Sequence, residues 1–275
     1  MVLPAILLLV FVGIIPLLSI INYSFHDIFT QESKYWVGTE WYREILGSGR
    51  FWGSFGRSLL FSLLILLIEI PLGIFIALSM PKKHVLVAVC LVLMSLPLLI
   101  PWNMIPMIWY SFISPEYLGG FLSFLGLEFN WKFNVIHTWT AIILMDVWHW
   151  TSLVVLLCYS GLTTIPNTYY QAAAIDRASR WSVFRYIELP KMAGVLMMAI
   201  LLRFMDSFMI YTEPFRLNAG GPGNTTMFLA MDLGEDIFSF NYGPASARSV
   251  IYFIIILTVS WTFKTTLTAY ESKKV

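Results

Sequence analysis

Six apolar stretches constrain most strongly how this 275-residue chain can fold. Each approaches or exceeds the roughly 20 residues that cross a bilayer as a helix, in which backbone polar groups pair internally because no water is available. Only 12% of the residues are charged, about half the share of a typical water-soluble domain. We therefore expect an all-α membrane protein with a single transmembrane domain, residues 1–275, and spans at residues 2–21, 59–80, 85–109, 139–159, 192–211 and 245–268.

The charges in the connections predict the orientation. Basic residues outnumber acidic ones at 81–84, at 163–191 and after the last span, whereas acidic residues prevail in the other connections taken together. Basic connections lie on the cytoplasmic side, so we expect both termini and the connection 163–191 to be cytoplasmic. No Lys or Arg lies between Met1 and the first stretch, unlike in a secretory signal, and we expect that stretch to be retained as a span.

Prolines and aromatic residues add local expectations. Pro71 in the second span, and three prolines in the third, each remove an internal hydrogen bond and predict kinks, although membrane helices also tolerate proline without special purpose; the three are Pro97, Pro101 and Pro106. Aromatic residues alternate with arginines over residues 41–52, which predicts an interfacial helix on the outer surface.

Several classes of function are excluded by absent motifs. The sequence contains no phosphate-binding P-loop, no dinucleotide-binding glycine pattern, no His-Glu-x-x-His and no paired Cys-x-x-Cys. We therefore expect the chain to bind no cofactor and not to hydrolyse ATP itself. The net charge of +1 argues against nucleic acid as a partner. Four scattered histidines predict no metal site, and two cysteines within apolar stretches predict no disulfide framework.

The basic connection 163–191 contains the signals of a first short helix. Pro166 suits a first helical turn and residues 168–171 have capping-box spacing, so residues 169–175 should be helical. Three alanines, 172–174, leave this helix nearly bare. Small side chains permit the close approach that a helix docked in a partner's groove requires. The alternative is that it folds back on the chain's own spans.

A second helix is predicted directly after the first. Ser179 suits its N-cap, and apolar residues at helical spacing follow as far as Pro190, which should end the helix; they are Trp181, Phe184 and Ile187. Exposed aromatic residues on the inner face of a membrane protein need a cover, which again indicates a partner or the chain's own spans.

The same connection carries a resemblance to a known family. Residues 170–178 read YQAAAIDRA and are followed by Ile187, Leu189 and Pro190. This resembles the EAA loop of ABC importer permeases, whose pattern is E-A-A, then D-G-A, then I-x-L-P. RFW at 50–52, leading into LLF at 59–61, and GGPGN at 220–224 are similar to the carbohydrate-importer branch of that family.

The resemblance implies a type I ABC importer permease fold whose cytoplasmic loop couples to a separate ATPase. The coupling residues that it implies are Gln171, Ala172, Ala173, Asp176, Arg177, Ala178, Phe184, Leu189 and Pro190. Gln171 replaces the family's Glu, and Arg177 replaces its Gly. If that Gly has a left-handed backbone, arginine there costs about 1 to 2 kcal/mol, so we expect the turn to be reshaped yet present.

The partners follow from the same resemblance. It implies a second, related permease, with a heterodimer favoured over a homodimer, and two copies of an ABC ATPase that bind ATP and Mg²⁺. It also implies an extracytoplasmic solute-binding protein and a location in a bacterial-type cytoplasmic (inner) membrane, surrounded by lipid. The expected function is ATP-driven import of a carbohydrate or polyol, such as a sugar, a sugar alcohol or glycerol.

Ionisable residues inside the spans indicate the solute path, because each is costly in lipid unless it faces the protein interior or water. Asp146 and His149 lie three residues apart on one helix, as do Arg203 and Asp206. Both could also be structural pairs, since a paired charge is cheaper to bury than a lone one. The candidate path residues are Asp146, His149, Arg203, Asp206, Ser207 and Tyr211.

Two other functions remain open at this point. The chain could be a secondary transporter that uses Asp146 and Asp206 as proton carriers, which would leave the docking loop unexplained. It could also be a membrane scaffold whose polar residues only hold the helices together.

Overall fold

The computed structural model describes residues 3–28, 33–81, 84–126 and 128–272. Val2 of the first predicted span and four lysines used for the orientation lie outside the described residues; these are Lys82, Lys83, Lys273 and Lys274. Among these described residues, five helices are long and apolar enough to cross a bilayer, or six when one bent pair is taken as a single span. The expected all-α fold with about six spans is confirmed.

The helices that can span are named in chain order together with the shorter ones. They are α1 Leu3–Tyr23, α2 Glu40–Gly47, α3 Gly49–Leu78, α4 His84–Leu99, α5 Ile105–Phe112, α6 Leu118–Phe124, α7 Val135–Thr163 and α8 Asn167–Ile175. Helix α9 comprises Arg180–Val183, the π-helical turn Phe184–Glu188 and Leu189–Phe208 without interruption. It is followed by α10 Thr212–Asn218, α11 Leu229–Phe238 and α12 Tyr242–Ser272.

One compact unit is built from residues within 1–57 and 227–269. It contains α1, a two-stranded antiparallel hairpin (β1 His26–Ile28 and β2 Lys34–Trp36), α2, α11 and most of α12. Helix α11 is held by polar contacts: Arg50 Nε donates to Asp232 Oδ1 at 2.8 Å, and the Tyr252 hydroxyl donates to the Leu229 carbonyl at 2.8 Å. No described side chain of α1 is buried, as suits a helix whose solvent is lipid.

The second unit contains residues 58–226 and is centred on α7, which packs against α4, α9 and α10. Its interior includes a cluster of Ala77, Val154, Cys158 and Met192. Glycine permits a close approach of two helices: a Cβ at Gly73 of α3 would lie 2.4 Å from Val154 Cγ1 of α7. Large side chains cannot occupy this crossing, so the two helices meet backbone to side chain.

The third predicted span is broken. Segments Val85–Leu99 and Trp102–Phe112 meet at 78°, and Pro101 at the break has an extended ψ of 133°. The expected kink at Pro101 is therefore present. Pro106 causes none, because it lies in the first turn of α5, where the missing N–H has no intrahelical partner to lose. Helix α3 continues through Pro71 without a break.

The predicted interfacial helix is shorter than expected. Helix α2 ends at Gly47, and the Arg50–Trp52 segment belongs to the first turns of α3 instead. Ser48 causes this division: its backbone is extended, with ψ 133°, and its Oγ accepts a hydrogen bond from Phe51 N at 3.2 Å, as an N-cap does. The prediction of one helix over residues 41–52 was wrong.

Candidate functional site

The connection 163–191 contains the first predicted helix, α8, which starts two residues earlier than expected. Pro166 is its N-cap and no side chain in the described part of the chain caps it, so the predicted capping box at 168–171 is not formed. Thr168 lies inside the helix, where its hydroxyl cannot act as an N-cap. Because proline has no N–H, the first turn of α8 has one backbone donor fewer that needs a hydrogen-bond partner, and a capping box is less necessary.

Helix α8 has one face toward its own chain and one toward solvent. Ala173 is buried, whereas Gln171, Ala172 and Asp176 are exposed and Ile175 is 82% exposed. One side of α8 therefore folds back on its own chain and the other side is uncovered, and docking to a partner stays a prediction. An exposed isoleucine beside bare alanines is a surface that favours a protein partner.

The turn after α8 is present, as predicted. Arg177 has φ 49°, in the left-handed region, and Ala178 N donates to the Ala173 carbonyl at 2.9 Å. The arginine therefore occupies the conformation that glycine adopts without strain. Whether the turn is reshaped relative to that of the family stays a prediction.

Ser179 caps the second helix as predicted: its Oγ accepts from Ser182 N at 3.1 Å. The predicted end at Pro190 was wrong, because α9 continues to Phe208. Proline lacks an N–H, and the π-helical turn just before it changes the hydrogen-bond register, so that Leu189 N bonds to the Phe184 carbonyl five residues back. The second helix of the connection and the fifth span are therefore one continuous helix, Arg180–Phe208.

A second cluster surrounds Arg203 in the interior of the same unit. Its Nε donates to Glu69 Oε2 at 2.6 Å, and its Nη1 donates to Asp206 Oδ2 at 2.6 Å. Nη2 donates to Asp146 and, at 3.2 Å, to Glu69 Oε1. The guanidinium therefore joins carboxylates of α3, α7 and α9, and its side chain is 1% exposed.

Aromatic residues and a fourth carboxylate surround this cluster. Arg203 Cζ lies 4.8 Å from the centroid of the Trp150 ring, within range of a cation–π interaction. Trp102, at the break of the third span, packs edge-on against Trp150 at 6.0 Å and donates its indole N–H to Glu213 Oε1 at 2.9 Å. A broken span is tolerated at membrane depth only where protein or water covers its backbone, and this cluster provides polar neighbours.

The structure brings together only some of the predicted path residues. Arg203 and Asp206 form the expected pair, but Asp146 joins Arg203 rather than His149. His149 is buried beside Trp150, at 4.8 Å between ring centroids, and Ser207 is also buried. Asp206, with a side chain 25% exposed, and half-buried Tyr211 are the path candidates with open surface.

Sequence reasoning counted Glu69 among the ionisable residues of the spans and Glu213 among the polar groups after the fifth span, but it assigned neither to the candidate path, and it did not consider Trp102. Glu69 is an acid in an otherwise apolar span, which is a signal that could have identified it. Trp102 and Glu213 had no comparable signal, because their contact depends on the break in the third span.

A sequence profile described as "Binding-protein-dependent transport system inner membrane component" matches residues 69–266. The chain belongs to this family. The match includes α7, α8 and α9, so the connection and the Arg203 cluster both lie in the family's common region.

Two relatives of this permease are named as transport proteins for sugars or sugar derivatives. It is 30% identical over 263 residues to the trehalose/maltose transport system permease protein MalF of Thermococcus litoralis, covering 94% of this chain and 89% of that protein. It is 28% identical over 267 residues to the sulfoquinovosyl glycerol transport system permease protein SmoG of Agrobacterium fabrum, covering 94% and 85%.

Solved structures share the fold of the permease. A chain of a bacterial ABC transporter involved in the import of the acidic polysaccharide alginate superposes with a TM-score of 0.79 at 20% identity, covering 96% of the permease and 94% of that chain. A second structure, the alginate transporter with a periplasmic protein bound to an alginate pentasaccharide, gives a TM-score of 0.80 at 18% identity, covering 96% and 91%. The expected permease fold is confirmed.

Proposed function

We propose that this permease is one of two transmembrane subunits of an ATP-driven importer for a carbohydrate or polyol. The observation that carries the proposal is the exposed face of α8, directly joined to a helix that continues into the fifth span. The names of its relatives, which transport trehalose or maltose and sulfoquinovosyl glycerol, support the solute class.

The proposal divides the work among partners. A separate ABC ATPase, present in two copies, binds ATP and Mg²⁺ and receives α8 in a surface cleft. A solute-binding protein delivers the solute at the outer face, and a second, related permease completes the path. Both termini and α8 then lie in the cytoplasm. Closure of the ATPase pair moves α8, and rigid-body motion of the attached helices opens the path alternately to either side.

The solute path runs beside the break in the third span. Asp206 and Tyr211 offer a carboxylate and a phenol with exposed surface, which suit hydroxyl-rich solutes. Tyr211 also stacks on Phe215 at 5.1 Å between ring centroids, and aromatic rings of this kind contact the apolar faces of sugars. Arg203, fully engaged by carboxylates, holds the wall of the path and leaves Asp206 to meet the solute.

Co-purification tests whether a separate ABC ATPase associates with the permease. The permease is co-expressed with its neighbouring genes and purified in mild detergent, and an ABC ATPase should co-purify in stoichiometric amount. Replacing Ile175 by glutamate, which places a charge at a position of α8 that is 82% exposed, should abolish that association. The matched control is Phe133→Glu, because Phe133 is 81% exposed in the connection before α7, on the opposite side of the membrane.

Transport in vesicles separates the other two functions. Uptake that survives removal of every ATPase but is lost with the proton gradient would establish a secondary transporter and refute the proposal. If no ATPase associates with the permease and no solute is taken up, the proposal is refuted and the membrane-scaffold function remains. Uptake that requires ATP and the binding protein, and is lost in Ile175→Glu but kept in Phe133→Glu, supports the importer.

A further inference from the structure

Two consecutive tyrosines of α8 contact the start of the fifth-span helix. The Lys191 ammonium donates to the Tyr169 hydroxyl at 3.1 Å, and its Nζ lies 4.5 Å from the centroid of the Tyr169 ring. The next residue, Tyr170, is half-buried near Glu188. Burial, followed by the charge of the Glu188 carboxylate, raises the pKa of Tyr170. Lys191 of α9 therefore contacts Tyr169 directly, and Glu188 of α9 lies close to Tyr170.

The two charged residues occupy one face of α9, because Glu188 and Lys191 are three positions apart. Glu188 is 2% exposed and is itself fixed by Arg180, whose Nη1 donates to Glu188 Oε1 at 3.0 Å. Arg180 and Glu188 lie at the two ends of the first helical segment and the π-helical turn. This ion pair therefore stabilises the segment that carries the tyrosine contacts.

The continuity of α9 gives these contacts a mechanical consequence. Helix α9 runs from Arg180 without interruption to Phe208 and carries Arg203 in its last part. A displacement of α8 that is transmitted at residues 188 and 191 thus reaches the helix that holds the buried carboxylate cluster. Without side-chain contacts, α8 would act on α9 only through the short turn at 176–179, which includes the left-handed Arg177.

We propose that Tyr169, Tyr170, Glu188 and Lys191 form a clamp that transmits the movement of α8 to the fifth span. The inference rests on the proposed function, since it takes α8 as the segment that the ATPase moves. The four residues are positioning residues: they touch neither solute nor nucleotide and act through the two helices they join. Loss of the clamp leaves docking intact and separates ATP hydrolysis from transport.

The test measures the number of solute molecules imported per ATP hydrolysed by the assembled complex in proteoliposomes. Lys191→Met removes the ammonium and both of its contacts with Tyr169, and should lower this ratio about tenfold, the effect of one hydrogen bond and one cation–π contact together. Lys191→Arg keeps a cation that can lie over the Tyr169 ring and N–H groups that can donate to its hydroxyl. This variant should keep the ratio within about twofold of the wild type. ATPase association should be unchanged in both variants.

Tyr169→Phe is the second variant, because it removes only the hydroxyl and keeps the ring beneath Lys191. The number of solute molecules imported per ATP by Tyr169→Phe should lie between the values of the wild type and Lys191→Met. If Lys191→Met fails to fold, Tyr169→Phe tests the clamp instead. The matched control is Lys132→Met, which removes a lysine placed 5.3 Å from the Trp131 ring centroid in another connection. That control should keep the wild-type ratio.

The outcomes separate the clamp from the proposed function. If no ABC ATPase associates with the wild-type permease, or if uptake continues without any ATPase, the proposed function fails, and the clamp fails with it. If Ile175→Glu loses association while Lys191→Met and Tyr169→Phe keep the wild-type ratio, only the clamp is refuted. Equal losses in Lys191→Met and Lys191→Arg would also refute it, because a general disturbance of the helix would not distinguish the two.

Discussion

Replacement of Arg203 by methionine tests whether the buried cluster stabilises the fold. Methionine keeps a long, flexible, apolar side chain but removes four N–H···O bonds to carboxylates. Each hydrogen bond to a charged group contributes about 1.5 to 3 kcal/mol, which sets an upper limit of about 6 to 12 kcal/mol for the set. Desolvation of the arginine offsets much of this, so we expect a loss of about 3 to 5 kcal/mol.

The assay is equilibrium unfolding in mixed micelles with increasing dodecyl sulfate, followed by helical circular dichroism. Asp206→Asn should cost less, about 1 kcal/mol, because its side chain is 25% exposed and water can replace the lost charge interaction. The control is Arg216→Met, since Arg216 is exposed on α10. A surface replacement of that kind should remain within about 0.5 kcal/mol of the wild type.

The decisive comparison combines Arg203→Met with Glu69→Gln and Asp146→Asn. If the loss comes from carboxylates that remain buried without a cation, neutralising them should recover at least half of it, because a neutral buried group needs less compensation. The reasoning is refuted if Arg203→Met alone unfolds with the wild-type free energy. It is also refuted if the triple variant is less stable than the single one.

Three further substitutions test other contacts by the same unfolding assay. Gly73→Ala places a Cβ 2.4 Å from Val154 and should cost about 1 to 3 kcal/mol of unfolding free energy. Its control is Gly56→Ala in the same helix, whose Cβ meets nothing within 4 Å and which should stabilise the protein by about 0.5 to 1 kcal/mol. Equal effects of the two substitutions would refute the close packing at Gly73. Trp102→Phe removes the hydrogen-bond donor to the buried Glu213 and should cost about 1 to 3 kcal/mol. Its control, Trp52→Phe, loses an indole hydrogen bond to an exposed carbonyl and should cost about 0.5 kcal/mol. The reverse order of these two losses would contradict a buried hydrogen bond between Trp102 and Glu213. Arg177→Gly should stabilise by about 0.5 to 1 kcal/mol, the relief of left-handed strain less the added chain entropy, and a loss would show that the turn is unstrained.

The sequence predicted the features that depend on single residues or on local periodicity. Apolar length gave the membrane class and the approximate helices, and Ser179 gave the start of α9. The break of the third span followed from Pro101, since the missing hydrogen bond is a local property. These predictions needed no knowledge of which helices are neighbours.

The partners of Arg203 could not be predicted, because they depend on which helices meet. Helical spacing correctly paired Arg203 with Asp206, which lies one turn away, but the same rule gave no information about Glu69 on α3. The same rule also paired Asp146 with His149, but in the structure Asp146 forms an ion pair with Arg203 of a neighbouring helix instead. A guanidinium offers a fork of five donors, so it attracts carboxylates from several helices when the packing places them within reach.

Pro190 shows how a correct local rule gave a wrong boundary. Proline removes one hydrogen bond of a regular α-helix, but the π-helical turn at 184–188 changes which carbonyl must be satisfied, so the helix passes through. The consequence is functional, since an interruption at Pro190 would have left Arg180 and Glu188 on a separate piece of helix. With α9 intact, a push on Lys191 or Glu188 is applied to the same rigid element that holds Arg203 among its carboxylates. The π-helical turn is therefore as necessary to the proposed coupling as the exposed face of α8.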